Sequence, residues 1–284
     1  MQRRTWLALL CLFVASVTYG QYLPGLSYCL LFDSKLEKEA FQQVCDQNCQ
    51  PLLFLLAYNP SMDSIQYNNL NTELTSYARK LAKKKERFDG DSNFLEYVFY
   101  SVHHRYFKTY ETEESFVGIF DRGNYNCISG TALFAFILNE LNYKPGIYET
   151  RYHIFLTINQ DSLNVLFETT DPLKGFVTGK KEINSRIEYY MKNEKERYSK
   201  DLTLSAPFNS SSILEKVDMM ELAGLHYYNL GLDLFNKENY YDAFRELKKA
   251  SILYPRSRRI KDFLWLTQSR YDLQLSTSLT ASKF

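Results

Sequence analysis

The chain has 284 residues, 45% of them hydrophobic and 16% aromatic, with 34 basic against 33 acidic side chains. That apolar content excludes wholesale disorder, and the length suits one large or two small units. A formal charge of +1 leaves no basic excess, so nucleic acid is not expected as a partner.

The N-terminal stretch "MQRRTWLALLCLFVASVTYG" sets Arg3 and Arg4 before an apolar run from Trp6 to Val17 and ends on Thr18-Tyr19-Gly20. This is the order of a secretory leader, and the apolar run is too short to span a bilayer. Residues 1–20 are therefore expected to be a signal peptide cleaved after Gly20, leaving an exported chain, periplasmic or secreted, without a membrane-spanning segment. Retention of the leader as an anchor is the alternative. Cys29, Cys45, Cys49 and Cys127 remain in the mature chain. An oxidising compartment permits disulfides. Cys45 and Cys49 are poorly spaced for each other, whereas Cys29 can pair with either; three reduced core thiols are the other reading.

Residues 21 to about 110 read mostly as helix. Lys35–Cys49 and Ser64–Arg87 carry apolar residues at three- and four-residue spacing, and a third helix is expected to Phe107 with Asp91 or Ser92 as its N-cap. The basic run Lys83-Lys84-Lys85-Glu86-Arg87 complements a helix C-terminus. His103 and His104 are adjacent on the third helix and project about 100° apart, so they do not share a metal. With no H-E-x-x-H or C-x-x-C nearby, no metal and no cofactor are expected.

The centre changes rhythm. Cys127 follows the polar stretch "GNYN" and opens the apolar helix "ISGTALFAFILNELN", which stops at Lys144-Pro145-Gly146. Next, "GIYETRYHIFLTI" and "LNVLFETT" read as two strands of an antiparallel hairpin with Asn159–Ser162 as its loop. A thiol reacts as thiolate, of which about 3% is present at pH 7 for an ordinary cysteine. A helix N-terminus and a neighbouring histidine both raise that fraction. His153 is the one histidine on the strand that follows. An acid beside it would fix its tautomer. With 158 opposite 163, Glu168 falls opposite His153. Asp171, three positions on, lies on the other face unless a bulge or the strand end brings it round. At this level both acids remain open.

Beyond a charged helix at about Ile183–Tyr198 and the Ser-rich loop 205–212, the segment "YYNLGLDLFNKENYYDAFRELKKASILYP" is helical. Leu230, Gly231, Leu234, Ala243, Leu247, Ala250 and Pro255 fall at the spacing of the helix-turn-helix repeat of about 34 residues, so this segment resembles a tetratricopeptide repeat. Arg258–Leu275 is expected to cover its open face.

The stretches "GNYNCISGTALFAFILNELNYKPGIYETRYHIFLTI" and "VLFETTDP" together resemble the transglutaminase-like superfamily, a branch of papain-like folds, over about residues 90–175. The resemblance implies an α+β fold in which a Cys-bearing helix packs on an antiparallel sheet, with Cys127 as nucleophile, His153 as base and Asp171 as orienter. Family members often place a tryptophan or glutamine upstream for the oxyanion. Here Trp6 and Trp265 lie far from the core segment, so that role falls to the Cys127 backbone N–H with Asn124 or Asn126. The expected organisation is a transglutaminase-like unit over 21–205, a tetratricopeptide-like helical segment over 213–275 and a tail over 276–284. Two functions follow. One is an exported cysteine-dependent acyl-transfer enzyme, a peptidase or amide hydrolase acting on a protein or peptide. The other is an inactive core that binds a protein partner through the C-terminal helices.

Overall fold

The computed structural model describes residues 30–45, 49–160, 163–200 and 214–281. The expected leader and Cys29 lie outside these residues, as does the Ser-rich loop. Three helices open the described chain: α1 (Lys35–Cys45), α2 (Pro51–Ala57) and α3 (Ser64–Ala82). Pro51 starts α2 at the one position where a missing N–H costs nothing, and every later residue of that helix is buried. A capping box starts α3, with Asp63 accepting from the Gln66 N–H and Gln66 accepting from the Asp63 N–H.

The next helix, α4 (Gly90–Tyr106), has Asp89 at its cap rather than Asp91 or Ser92. Asp91 is drawn instead to Lys85, 2.9 Å away. His103 is buried between the rings of Phe99 and Phe107, while His104 is exposed. Among the described residues one acidic group has metal-like spacing, Asp33, Glu37 and Glu246, and the buried Lys249 ammonium already sits among the three.

A short parallel pair, β1 (Thr109–Tyr110) and β2 (Asn124–Tyr125), brackets α5 (Gly118–Asp121) and leads into α6 (Cys127–Glu140). The sheet follows: β3 (Gly146–Glu149), β4 (Ile154–Gln160), β5 (Leu163–Phe167) and β6 (Phe176–Thr178), then α7 (Lys180–Lys200) and β7 (Glu215–Val217). It has five strands in the order β6-β5-β4-β3-β7, all antiparallel, so the fold is α+β.

Two details differ from the expectation. The single strand expected over 146–158 is itself a hairpin: the chain folds back at 150–153, where the Thr150 N–H and hydroxyl both donate to the His153 carbonyl (2.8 and 3.1 Å). His153 is therefore the last residue of a turn, immediately before β4. The β4–β5 ladder pairs Gln160 with Leu163, which moves the register two residues from the expected one. A two-residue slip preserves the face each side chain occupies.

The C-terminal helices are α8 (Met219–Asn236), α9 (Tyr240–Leu253) and α10 (Arg258–Ala281). Gly231 lets α8 and α9 close up, since a Cβ there would lie 2.7 Å from Leu247 Cγ. Replacing Gly231 with Ala is expected to cost about 1–3 kcal/mol through that overlap, read as a lower urea midpoint. An unchanged midpoint would mean that Leu247 yields freely and the close approach is not needed. The expected boundary between the two units is not a break in the core. One buried cluster runs from Leu36 through α6 and the sheet to Phe263, and β7 joins the sheet edge before passing directly into α8.

Among the described residues, no helix is long and apolar enough to cross a membrane.

Candidate active site

The site begins with a cap. Asn126 has extended backbone, and its Oδ1 accepts from the Ser129 N–H while the Ser129 hydroxyl accepts from the Asn126 N–H (both 2.9 Å). Its amide nitrogen donates to the carbonyls of Thr112 (3.2 Å) and Glu114 (2.8 Å). This buried side chain therefore ties the start of α6 to the preceding loop and makes Cys127 the first helical residue. Ten of the residues that follow in α6 are buried, so the helix is held on all sides and its first turn is rigidly placed.

The Cys127 thiol lies beside the His153 ring, and both line the same cleft. On the other side of the ring, His153 Nε2 donates to Glu168 Oε2 at 2.5 Å. Nδ1 is then the ring nitrogen not engaged by Glu168. Glu168 is held from three further directions: the Thr170 N–H (3.0 Å) and hydroxyl (2.6 Å) on Oε1, and the Tyr190 hydroxyl (2.5 Å) on Oε2. The Tyr190 ring also lies against the His153 ring, with centroids 4.9 Å apart. Burial disfavours charge on both groups and is the largest single influence on each. For His153 it is outweighed by Cys127 beside the ring, by the hydrogen bond to Glu168 and by the Glu168 charge, which raise the imidazole to about 10. For Glu168 it is outweighed by His153, Thr170 and Tyr190, which hold the carboxyl down at about 2. At neutral pH the pair is thus imidazolium and carboxylate, a proton donor fixed beside the sulfur.

Asp171 is not part of this arrangement. Its Oδ1 accepts from the N–H groups of Leu173 (3.3 Å) and Lys174 (2.9 Å), and its other oxygen lies 3.5 Å from Arg186. The cause is the turn after β5. Gly175 returns its N–H to the Asp171 carbonyl, and a Cβ on Gly175 would sit 2.1 Å from the Glu168 carbonyl oxygen. That turn aims Asp171 into its own loop. Glu168 and His153 share a sheet face, as the register parity requires.

The two proposed oxyanion amides are also committed elsewhere. Asn126 spends its amide on the two loop carbonyls, and Asn124 Nδ2 donates to Glu114 Oε2 at 3.2 Å. The N–H groups that remain are those of the helix start itself. Asn126 takes the N–H groups of Ser129 and Gly130, while those of Cys127 and Ile128, the first two of α6, have no intrahelical acceptor.

Beside Cys127 and His153 lies a cleft of about 510 Å³. The turn 149–154 forms one wall, and side chains of α8 and α10 form the other. A smaller hollow of about 260 Å³ opens behind His153, lined by Thr170, Asp171, Arg186 and Tyr190. Tyr190 was not foreseen from the sequence. Its one signal there is an aromatic pair, Tyr189-Tyr190, on a charged helix. Of the remaining cysteines, Cys49 keeps a thiol that donates to the Gln43 carbonyl (3.5 Å). Compared with protein-family models, curated proteins and solved structures, the chain matches none of them.

Proposed function

We propose that this chain is a cysteine-dependent acyl-transfer enzyme of transglutaminase-like type, hydrolysing peptide or amide bonds. With the leader expected at 1–20, it would work outside the cytoplasm. The observation that carries the reading is the relay Cys127–His153–Glu168, placed at a helix N-terminus and open to a cleft. A helix bearing the cysteine against an antiparallel sheet is also what the family resemblance implies.

In the reaction, Cys127 sulfur forms a bond to the carbonyl carbon while its negative oxygen is met by the N–H groups at the start of α6. As the C–N bond breaks, the His153 imidazolium gives its Nδ1 proton to the leaving amine. The resulting thioester is opened by water or by an amine, whose proton returns to His153 as the sulfur leaves. Glu168 keeps the ring oriented and its positive charge compensated throughout.

The competing reading, an inactive module, calls for a closed surface beside Cys127. An open cleft of about 510 Å³ favours the enzyme. The test is alkylation of the mature protein with iodoacetamide at pH 6, followed by intact mass. Cys127 is expected to react about 10- to 100-fold faster than a simple alkyl thiol, and His153→Ala to abolish that excess. A Cys127 rate equal to that of the simple thiol, unaffected by His153→Ala, would end the proposal.

A further inference from the structure

The cleft at Cys127 is only half built by the core. Its opposite wall is formed by C-terminal helices that the repeat pattern alone would treat as an appendage. These helices are fixed to the core at the cleft itself. Arg259 of α10 pairs with Glu149 at the end of β3 and donates to the Arg151 carbonyl (2.9 Å). The Tyr254 hydroxyl bonds Glu149 (3.0 Å) and Glu215 (3.1 Å), and Arg256 chelates Glu221. Glu149 and Tyr254 are buried, so this is a fixed joint and not a sliding contact.

The joint also decides what the cleft offers a ligand. The Arg259 charge is matched by Glu149, and Arg258, at the exposed mouth, has Asp262 within 3.6 Å. The apolar side chains between are Ile128 from α6, Leu225, Tyr228 and Leu232 from α8, and Phe263 from α10, with Asn229 of α8 and Arg151 and Tyr152 of the turn beside them. Four of the five are buried, and Leu232 is half-exposed. An apolar interior with a few compensated ions at its rim is the ordinary composition of a site that reads side-chain shape and hydrophobicity.

We infer that α8 and α10 form an apolar specificity subsite, and that the preferred substrate carries a large aliphatic or aromatic side chain on the residue supplying the attacked carbonyl. This rests on the reading of Cys127 as a nucleophile. The C-terminal helices are then part of the active site, and Leu232 is a specificity-determining residue. Apolar pockets distinguish side chains by about 10- to 200-fold for each group gained or lost.

The experiment uses the full mature chain and a panel of short peptidyl chloromethyl ketones with Leu, Phe, Gly, Glu or Lys next to the reactive carbon. Inactivation rates are followed by mass at Cys127, beside iodoacetamide as a reagent with no side chain. The Leu and Phe reagents are expected to exceed the Gly, Glu and Lys reagents by at least about tenfold. In Leu232→Glu the ratio of the Leu-reagent rate to the iodoacetamide rate is expected to drop by about the same factor. Fast alkylation by iodoacetamide with no preference among the five reagents overturns the subsite and leaves the thiol enzyme standing. Slow alkylation by iodoacetamide overturns the enzyme reading itself. The wild-type panel decides the matter even if Leu232→Glu fails to fold.

Discussion

Replacing Glu168 with Gln is expected to slow acylation of Cys127 by about 10²- to 10⁴-fold, whereas Asp171→Asn changes it less than about twofold. Glu168 holds the His153 ring through a 2.5 Å bond from Nε2 and supplies the negative charge that compensates the imidazolium. A glutamine of the same size keeps an acceptor oxygen for Thr170 or for Tyr190 but not for both, and removes the charge. Its amide can also turn its nitrogen toward Nε2, which forces the wrong tautomer. Asp171 makes its bonds within its own turn and to Arg186, so its loss loosens a surface loop. The pH profile separates a charge effect from mere unfolding. Glu168 is one of the groups that raise His153 to about 10, so the alkaline limb of acylation should move to lower pH in Glu168→Gln and stay in place in Asp171→Asn. The reverse pattern, a collapse with Asp171→Asn and indifference to Glu168→Gln, would return the orienter's role to Asp171.

That contrast also shows what was legible before the structure. Cys127 at a helix start could be read because capping is local: Asn126, Ser129 and the apolar residues of α6 stand within a few positions of one another. Face parity was legible for the same reason, so Glu168 stayed on the sheet face of His153 even though the expected register was two residues out. The resemblance favoured Asp171 because of its spacing from His153, yet spacing is blind to the turn that Gly175 closes behind β5. The fold-back at 150–153 was hidden by composition. "YETRYH" carries the β-branched and aromatic residues of a strand and none of the usual Gly, Pro or Asn of a turn, and its closure depends on the Thr150 hydroxyl. Asn126 resembled a free amide at the site because the carbonyls of Thr112 and Glu114 that consume it come from another part of the loop. Tyr190 and the α8–α10 wall arrive through tertiary packing, for which no local pattern exists.

Acid is expected to detach the C-terminal helices before it protonates Glu168. His226 of α8 is buried, its Nε2 accepts the Phe116 N–H at 3.2 Å, and its ring lies 4.3 Å from that of Tyr58. Burial is the main cause that lowers it to about 4, with the Glu114 charge working the other way. His103 is buried among aromatic rings and is likewise lowered to about 4, chiefly by burial. Both are neutral in the fold and titrate near 6.5 once unfolded. The unfolded chain therefore binds more protons between pH 6.5 and 4, and stability falls with pH across that window by up to about 1.4 kcal/mol per histidine per pH unit. Glu246 acts in the opposite sense. Burial raises it to about 7, so its contribution is fully present below its unfolded value near 4.5 and is lost as pH rises through 7. Glu246, with the buried Glu149 raised in the same sense, offsets part of the two histidines, and the net loss between pH 7 and 4.5 is at most about 2 kcal/mol against a typical total of about 5–15. Glu168, held at about 2, adds its own loss only below pH 4.5. Urea unfolding at pH 7 and pH 4.5 should show the drop. In His226→Gln, whose side-chain oxygen can still accept the Phe116 N–H, the drop should all but vanish, because the remaining histidine and Glu246 then nearly cancel. Equal stability at the two pH values, or an unchanged slope in His226→Gln, would remove His226 as the acid-sensitive pin. Because α8 lines the cleft at Cys127, the same protonation should take away the far wall of the site and, with it, the preference for apolar substrates.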